Sequence, residues 1–172
     1  MKLRPTFPPL LVLLLATTLA TTQPSSATAL DHGPTAFGQG EFFNIVRRET
    51  WRFSFDATAN KNGQARGRAT FNIVDGLVET QVVVRIDCLN AEAFEGGGSA
   101  IMSGTILHSD NPDFPKRTGV FFNADDNSGF PLIRSDLISP LFVTNFFGSD
   151  CHDVGHLLTV FPVSPDAITI QP

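Results

Sequence analysis

Trp51-Arg52-Phe53-Ser54-Phe55 alternates large rings with polar side chains, and Ala65-Arg66-Gly67-Arg68-Ala69-Thr70-Phe71-Asn72-Ile73 resumes the alternation after a break. An extended chain points successive side chains to opposite faces, so each segment reads as a strand with one face buried and the other wet. Asn60-Lys61-Asn62-Gly63, between them, supplies residues that tolerate the positive φ of a tight turn. Asp75-Gly76 is a second turn signal. Leu77 to Asp87 then sets Val78, Val82, Val84 and Ile86 against Glu79, Gln81, Val83 and Arg85. Three antiparallel strands in a meander are expected.

Outward from this meander the pattern weakens. Residues 30–40 carry His32, Gly33, Pro34, Gly38 and Gly40 and read as an irregular arm. Ala91 to Phe94 reads as a further strand, broken by Gly96-Gly97-Gly98, and Ser99 to His108 alternates weakly. Ser109 to Thr118 is a loop by its Asp, Asn and Pro content. Val120 to Ala124 and Leu137 to Thr144 read as strands, with Asp125 to Asp136 a polar excursion between them. A short helical turn fits Asp136 to Ser139, and residues 165–172 form a tail. Nowhere do apolar residues recur at helical spacing over a dozen positions. Many short strands with glycine punctuation predict an all-β fold, an antiparallel β-sandwich or small β-barrel. Its core draws on the 16 Phe of the 172 residues.

The first residues follow a different grammar. Lys2 and Arg4 precede the apolar run Leu10 to Leu15, and Ala27-Thr28-Ala29 offers the small-x-small pattern of a signal-peptidase cut. Thr18-Leu19-Ala20 is a second cut, so the leader ends after Ala29 or Ala20. Residues 1–29 are therefore expected to be a signal peptide, and 30–172 a single β-rich domain. Thr17, Thr18, Thr21 and Thr22 interrupt the run before it reaches the roughly 20 apolar residues that a span needs. No later segment of the mature chain is long and apolar enough to cross a bilayer. The protein is expected to be secreted, or periplasmic in a two-membrane cell. In that oxidising setting Cys88 and Cys151 are expected to pair. The net charge of −5 lacks the basic footprint that nucleic acid requires, and loss of Lys2 and Arg4 makes the mature chain more acidic still.

The order of the pieces resembles a loose group of secreted, uncharacterised, mostly bacterial all-β proteins. The resemblance is carried by Phe53-Ser54-Phe55, Arg66-Gly67-Arg68, Val84-Arg85-Ile86-Asp87-Cys88, Gly96-Gly97-Gly98, Asp126-Asn127-Ser128-Gly129 and Asp136-Leu137-Ile138-Ser139. It implies secretion and an all-β domain. It carries over no activity, cofactor or site.

Two loops concentrate groups able to do chemistry. His152, Asp153 and His156, beside Cys151, have the donor types of a transition-metal site. Four residues of strand span about 13 Å, so the two imidazoles converge only through a bend or helical turn. Otherwise this is a polar loop at the end of a disulfide. Asp125, Asp126 and Asn127, with Ser128 and Asp136, form an oxygen-rich loop of the kind that suits calcium. The same residues make an ordinary tight turn, and the EF-hand spacing is missing. No cofactor is predicted beyond these candidates. There is no G-x-S-x-G nucleophile motif, Gly96-Gly97-Gly98 lacks the Lys of a phosphate loop, and no N-glycosylation sequon occurs. Arg47, Arg48, Arg52, Arg66 and Arg68 gather basic charge in the first third, as a solvated sheet face or a face for an anionic glycan.

The composition favours a secreted binding or envelope-associated module, with a glycan or small ligand as partner. A small hydrolase or metal enzyme with a loop-end site, and a β-barrel carrying a small ligand, are the alternatives. An enzyme requires converging polar groups in a cleft, and a carrier requires an empty apolar interior.

Overall fold

A computed structural model describes residues 33–60, 64–129, 135–144, 151–152 and 159–172. The expected signal peptide, the middle of the Asn60–Gly63 turn, Asp153 and His156 lie outside the described residues. The strands in chain order are β1 (Thr35–Asn44), β2 (Glu49–Ala59), β3 (Gln64–Asp75), β4 (Val78–Phe94), β5 (Gly97–Ser109), β6 (Gly119–Asp126), β7 (Leu137–Ile138), β8 (Phe142–Thr144), β9 (Phe161–Pro162) and β10 (Ile168–Gln171). All pairings are antiparallel and join one sheet in the order β10-β1-β2-β3-β4-β5-β6-β7-β9, with β8 also on β6. No described residue is helical. The fold is all-β, as expected. Where a β-sandwich or small β-barrel is expected, the strands form a single curled antiparallel sheet, a half-barrel.

Four local expectations are corrected. Residues 35–40, read as part of an irregular arm, are the first half of β1. Its inward positions Gly38 and Gly40 face Phe55 and Phe53 across the β1–β2 ladder. A Cβ at Gly38 would stand 2.8 Å from the Phe55 ring, and one at Gly40 would stand 3.1 Å from the Phe53 ring. The neighbouring strand's rings fill the space that side chains of β1 would have occupied. Asp136 to Ser139, read as a helical turn, leads into β7, and the tail 165–172 contains β10, which pairs with β1. The Ala91 to Phe94 segment is the end of the long β4, not a separate strand.

The core lies on the concave face. Trp51, Phe53, Phe55, Ala69, Phe71, Ile73, Val82, Val84 and Ile86, the faces expected from alternation, are all buried there. Two residues depart from the pattern: Val78 is 62% exposed beside the β3–β4 turn, and Val83, expected on the wet face, is buried. Past Ile86 the β4–β5 register shifts at Asp87, so inward positions change parity and Leu89 enters the core. Rings from distant strands meet across the interior. Phe122 on β6 lies 5.2 Å from Phe71 and 5.7 Å from Phe55, and Phe42 on β1 stacks on Phe161 of β9 at 5.2 Å. Each such pair adds about 1 kcal/mol beyond the area it buries. The 110–118 loop folds over one end of this core. It buries Phe114 edge-on against Trp51 at 5.9 Å and is latched by an ion pair from Arg47 to Asp113 at 2.7 Å. The adjacent β1–β2 and β3–β4 turns leave Ile45, Val46 and Leu77 exposed at that end.

Candidate functional site

The oxygen-rich loop takes part in closing the fold. β10 is the first edge of the sheet, and its N–H groups on the side away from β1 lack a strand partner. Two buried carboxylates meet them: Ile168 N–H donates to Asp136 Oδ2 at 2.9 Å, and Ile170 N–H donates to Asp126 Oδ2 at 3.2 Å. The remaining oxygens are used as well. Asn127 N–H donates to Asp136 Oδ1 at 2.9 Å, and Ser128 N–H to Asp126 Oδ1 at 3.0 Å. The Asp136 carbonyl accepts from Val163 N–H at 2.9 Å, tying in the chain beyond β9. These bonds stitch β10 to the β6–β7 side and cover the edge that would otherwise invite another strand. Asp125 accepts from Ser99 Oγ at 2.6 Å, and Asn127 Nδ2 donates to the Ser135 carbonyl at 3.0 Å. The calcium candidates are thus engaged with the protein's own donors, and Asp136 proves to be the hub of the seam.

Cys88 and Cys151 form the expected disulfide, with Cα atoms 5.8 Å apart. Cys88 lies on the outer side of β4, so Cys151 is fastened to the outer face of the β4-β5-β6 region. Ser99, Ile101, Ser103 and Asn123 are buried on that face. His152 is the one member of the expected histidine cluster among the described residues. Its ring nitrogen and the two sulfurs lie within 4.8 Å of one another. Bonded to each other, the sulfurs are not the thiolates that a soft metal ion takes.

The five arginines do not form one positive face. Arg52 is held by Glu41 at 2.9 Å and Glu79 at 3.6 Å, and Arg47 is spent on Asp113. Arg68 stands four positions from Arg52's row along the ladder, about 13 Å away. Its surroundings are different. On the outer face, Thr169, Phe37, Asp56 and Arg68 are successive register partners from β10 to β3, and Gln39, Ser54 and Thr70 form the adjoining row. Together with Asp166, in the turn before β10, they line an open groove of about 460 Å³.

The two ends of this outer face contrast. Beside Arg52, Asn72 accepts from Gln81 Nε2 at 3.0 Å. At the groove's own border, Arg85 on β4, the register partner of Arg68, is bonded to Asp87 at 2.7 Å. That hydrogen bond first, and the Asp87 charge second, raises the Arg85 guanidinium above its ordinary range. Along the groove, Arg68, Asp56 and Asp166 are exposed without such partners among the described residues, and Phe37 keeps 48% of its surface in solvent. Of these residues only Arg68 stood out in the sequence. Phe37, Asp56 and Asp166 become neighbours through strand register, which their spacing along the chain does not reveal. Comparison with protein-family models, with curated proteins and with solved structures finds no match to this chain.

Proposed function

We propose that the chain is a secreted β-domain that works by binding, and that its ligand lies along the outer groove of β10, β1, β2 and β3. The observation that carries this reading is the difference in how polar groups are used. The carboxylates of the loop end are consumed in closing the sheet, whereas Asp56, Arg68 and Asp166 are left open beside a half-exposed ring. An interior occupied by the protein's own rings leaves the outer surface as the place for a partner. The disulfide fits export into an oxidising compartment, as does the resemblance to secreted all-β proteins.

The test is a binding screen of the exported protein against a panel of neutral and acidic polysaccharides, run beside the double variant Phe37→Ala/Arg68→Ala. The reading expects retention on at least one polymer, and at least a tenfold loss in the double variant at unchanged melting temperature. Retention that survives the double variant but falls in Leu77→Ser would move the site to the turns at the other end. Release of reducing sugar from the retained polymer would make the protein a hydrolase.

A further inference from the structure

We infer that the groove ligand is a neutral, hydroxyl-rich chain, an uncharged glycan, and not a polyanion; this rests on the groove being the binding site. The first argument is charge. Among the groove's lining residues Asp56 and Asp166 outnumber Arg68, so the lining is net negative; Arg85, across from Arg68, is held by Asp87, and Arg66 lies one row outside the lining. A carboxylate- or sulfate-bearing polymer would meet repulsion here, added to that of an acidic protein. The second argument is donor and acceptor balance. A carboxylate accepts only and a guanidinium donates only, whereas a sugar hydroxyl does both. Asp56 beside Arg68 in register therefore offers one partner for a hydroxyl's proton and another for an oxygen. Ser54 and Thr70 add hydroxyls from the adjoining row.

The third argument is shape. Phe37 stands in the same row as Asp56 and Arg68, next to the acceptor. Its exposed ring offers a flat apolar surface with a negative π face, the complement of the C–H face of a pyranose. Neighbouring strands are about 4.8 Å apart, so the row from Thr169 to Arg68 is roughly 14 Å long, and it continues into Arg85 on β4. Such a platform receives an extended chain lying across the strands, not a small molecule enclosed on all sides. Ring and hydrogen-bonding pair then alternate with the two faces of a sugar: the apolar face on Phe37, the equatorial hydroxyls on Asp56 and Arg68.

The experiment titrates neutral oligosaccharides of glucose, mannose, xylose and N-acetylglucosamine, and oligouronates of matched length, into wild type, Phe37→Ala, Asp56→Asn and Arg68→Ala. Each titration is run at low and high salt. Binding of a neutral series that changes less than twofold with salt, and falls at least tenfold in Phe37→Ala and in Asp56→Asn, is expected. Binding of uronates alone, weakening with salt and lost in Arg68→Ala, would overturn the neutral class and leave the groove as the site. Sugar binding unchanged in all three variants, or no binding by any series, would overturn the groove reading and this inference together.

Discussion

Asp136, 1% exposed at the seam, and Asp166, open to solvent in the groove, are the same side chain in opposite situations. At the seam, each carboxylate oxygen of Asp126 and Asp136 answers a backbone N–H, so the anions act as strand substitutes and replace the ladder that β10 would need on its free edge. In the groove, Asp56 and Asp166 have no hydrogen-bond or ion-pair partner among the described residues. The difference teaches where to look for function in a small β-fold: polar groups whose hydrogen bonds are complete hold the chain together, and those left incomplete on a firm surface are available to a partner.

The contrast is sharpest under substitution. Asp136→Ala should be the most damaging, stranding two buried N–H groups at a cost of about 5 kcal/mol. Loss of cooperative thermal unfolding, or failure to accumulate, is the expected readout. Removing the Cys88–Cys151 bond, which closes a separation of 63 residues, should cost about 4 kcal/mol. Because that bond lies on the outer face, the Ile168 and Ile170 amides should stay protected in hydrogen exchange, unlike in a seam variant. Asp126→Ala should cost about 2 kcal/mol, with faster exchange confined to the β10 edge and the turn at Ser128. Phe37→Ala and Arg68→Ala should each change stability by less than about 0.5 kcal/mol. A groove substitution that proved as costly as Asp136→Ala would erase the distinction between the two regions.

What was legible in the sequence follows from how locally each strand's environment is decided. β2 and β3 bury one face each, so Trp51, Phe53 and Phe55, and then Ala69, Phe71 and Ile73, announce themselves by alternation. β5 does not, because Ser99, Ala100, Ile101, Met102 and Ser103 are all buried, so both of its faces are shielded and alternation disappears. β1 was hidden by Gly38 and Gly40, whose partners are rings on another strand. The parity change at Asp87 is a property of the ladder and leaves no local mark. The oxygen-rich loop could be found by composition, but its role depends on Ile168 and Ile170 returning from the far end of the chain. The groove is a product of register alone, with Phe37, Asp56 and Arg68 brought abreast by two hairpins.

The pairing of β10 with β1 places Thr35 directly beside Gln171, with the Thr35 hydroxyl 3.5 Å from the Gln171 amide oxygen. A short peptide linker joining these two positions would turn the domain into a ring. The exposed Gly76-Leu77 turn could then be cut to give new ends without interrupting a strand. Such a permuted version would display its termini at the pole opposite the seam, leaving both the stitched edge and the open row intact for attachment to a surface.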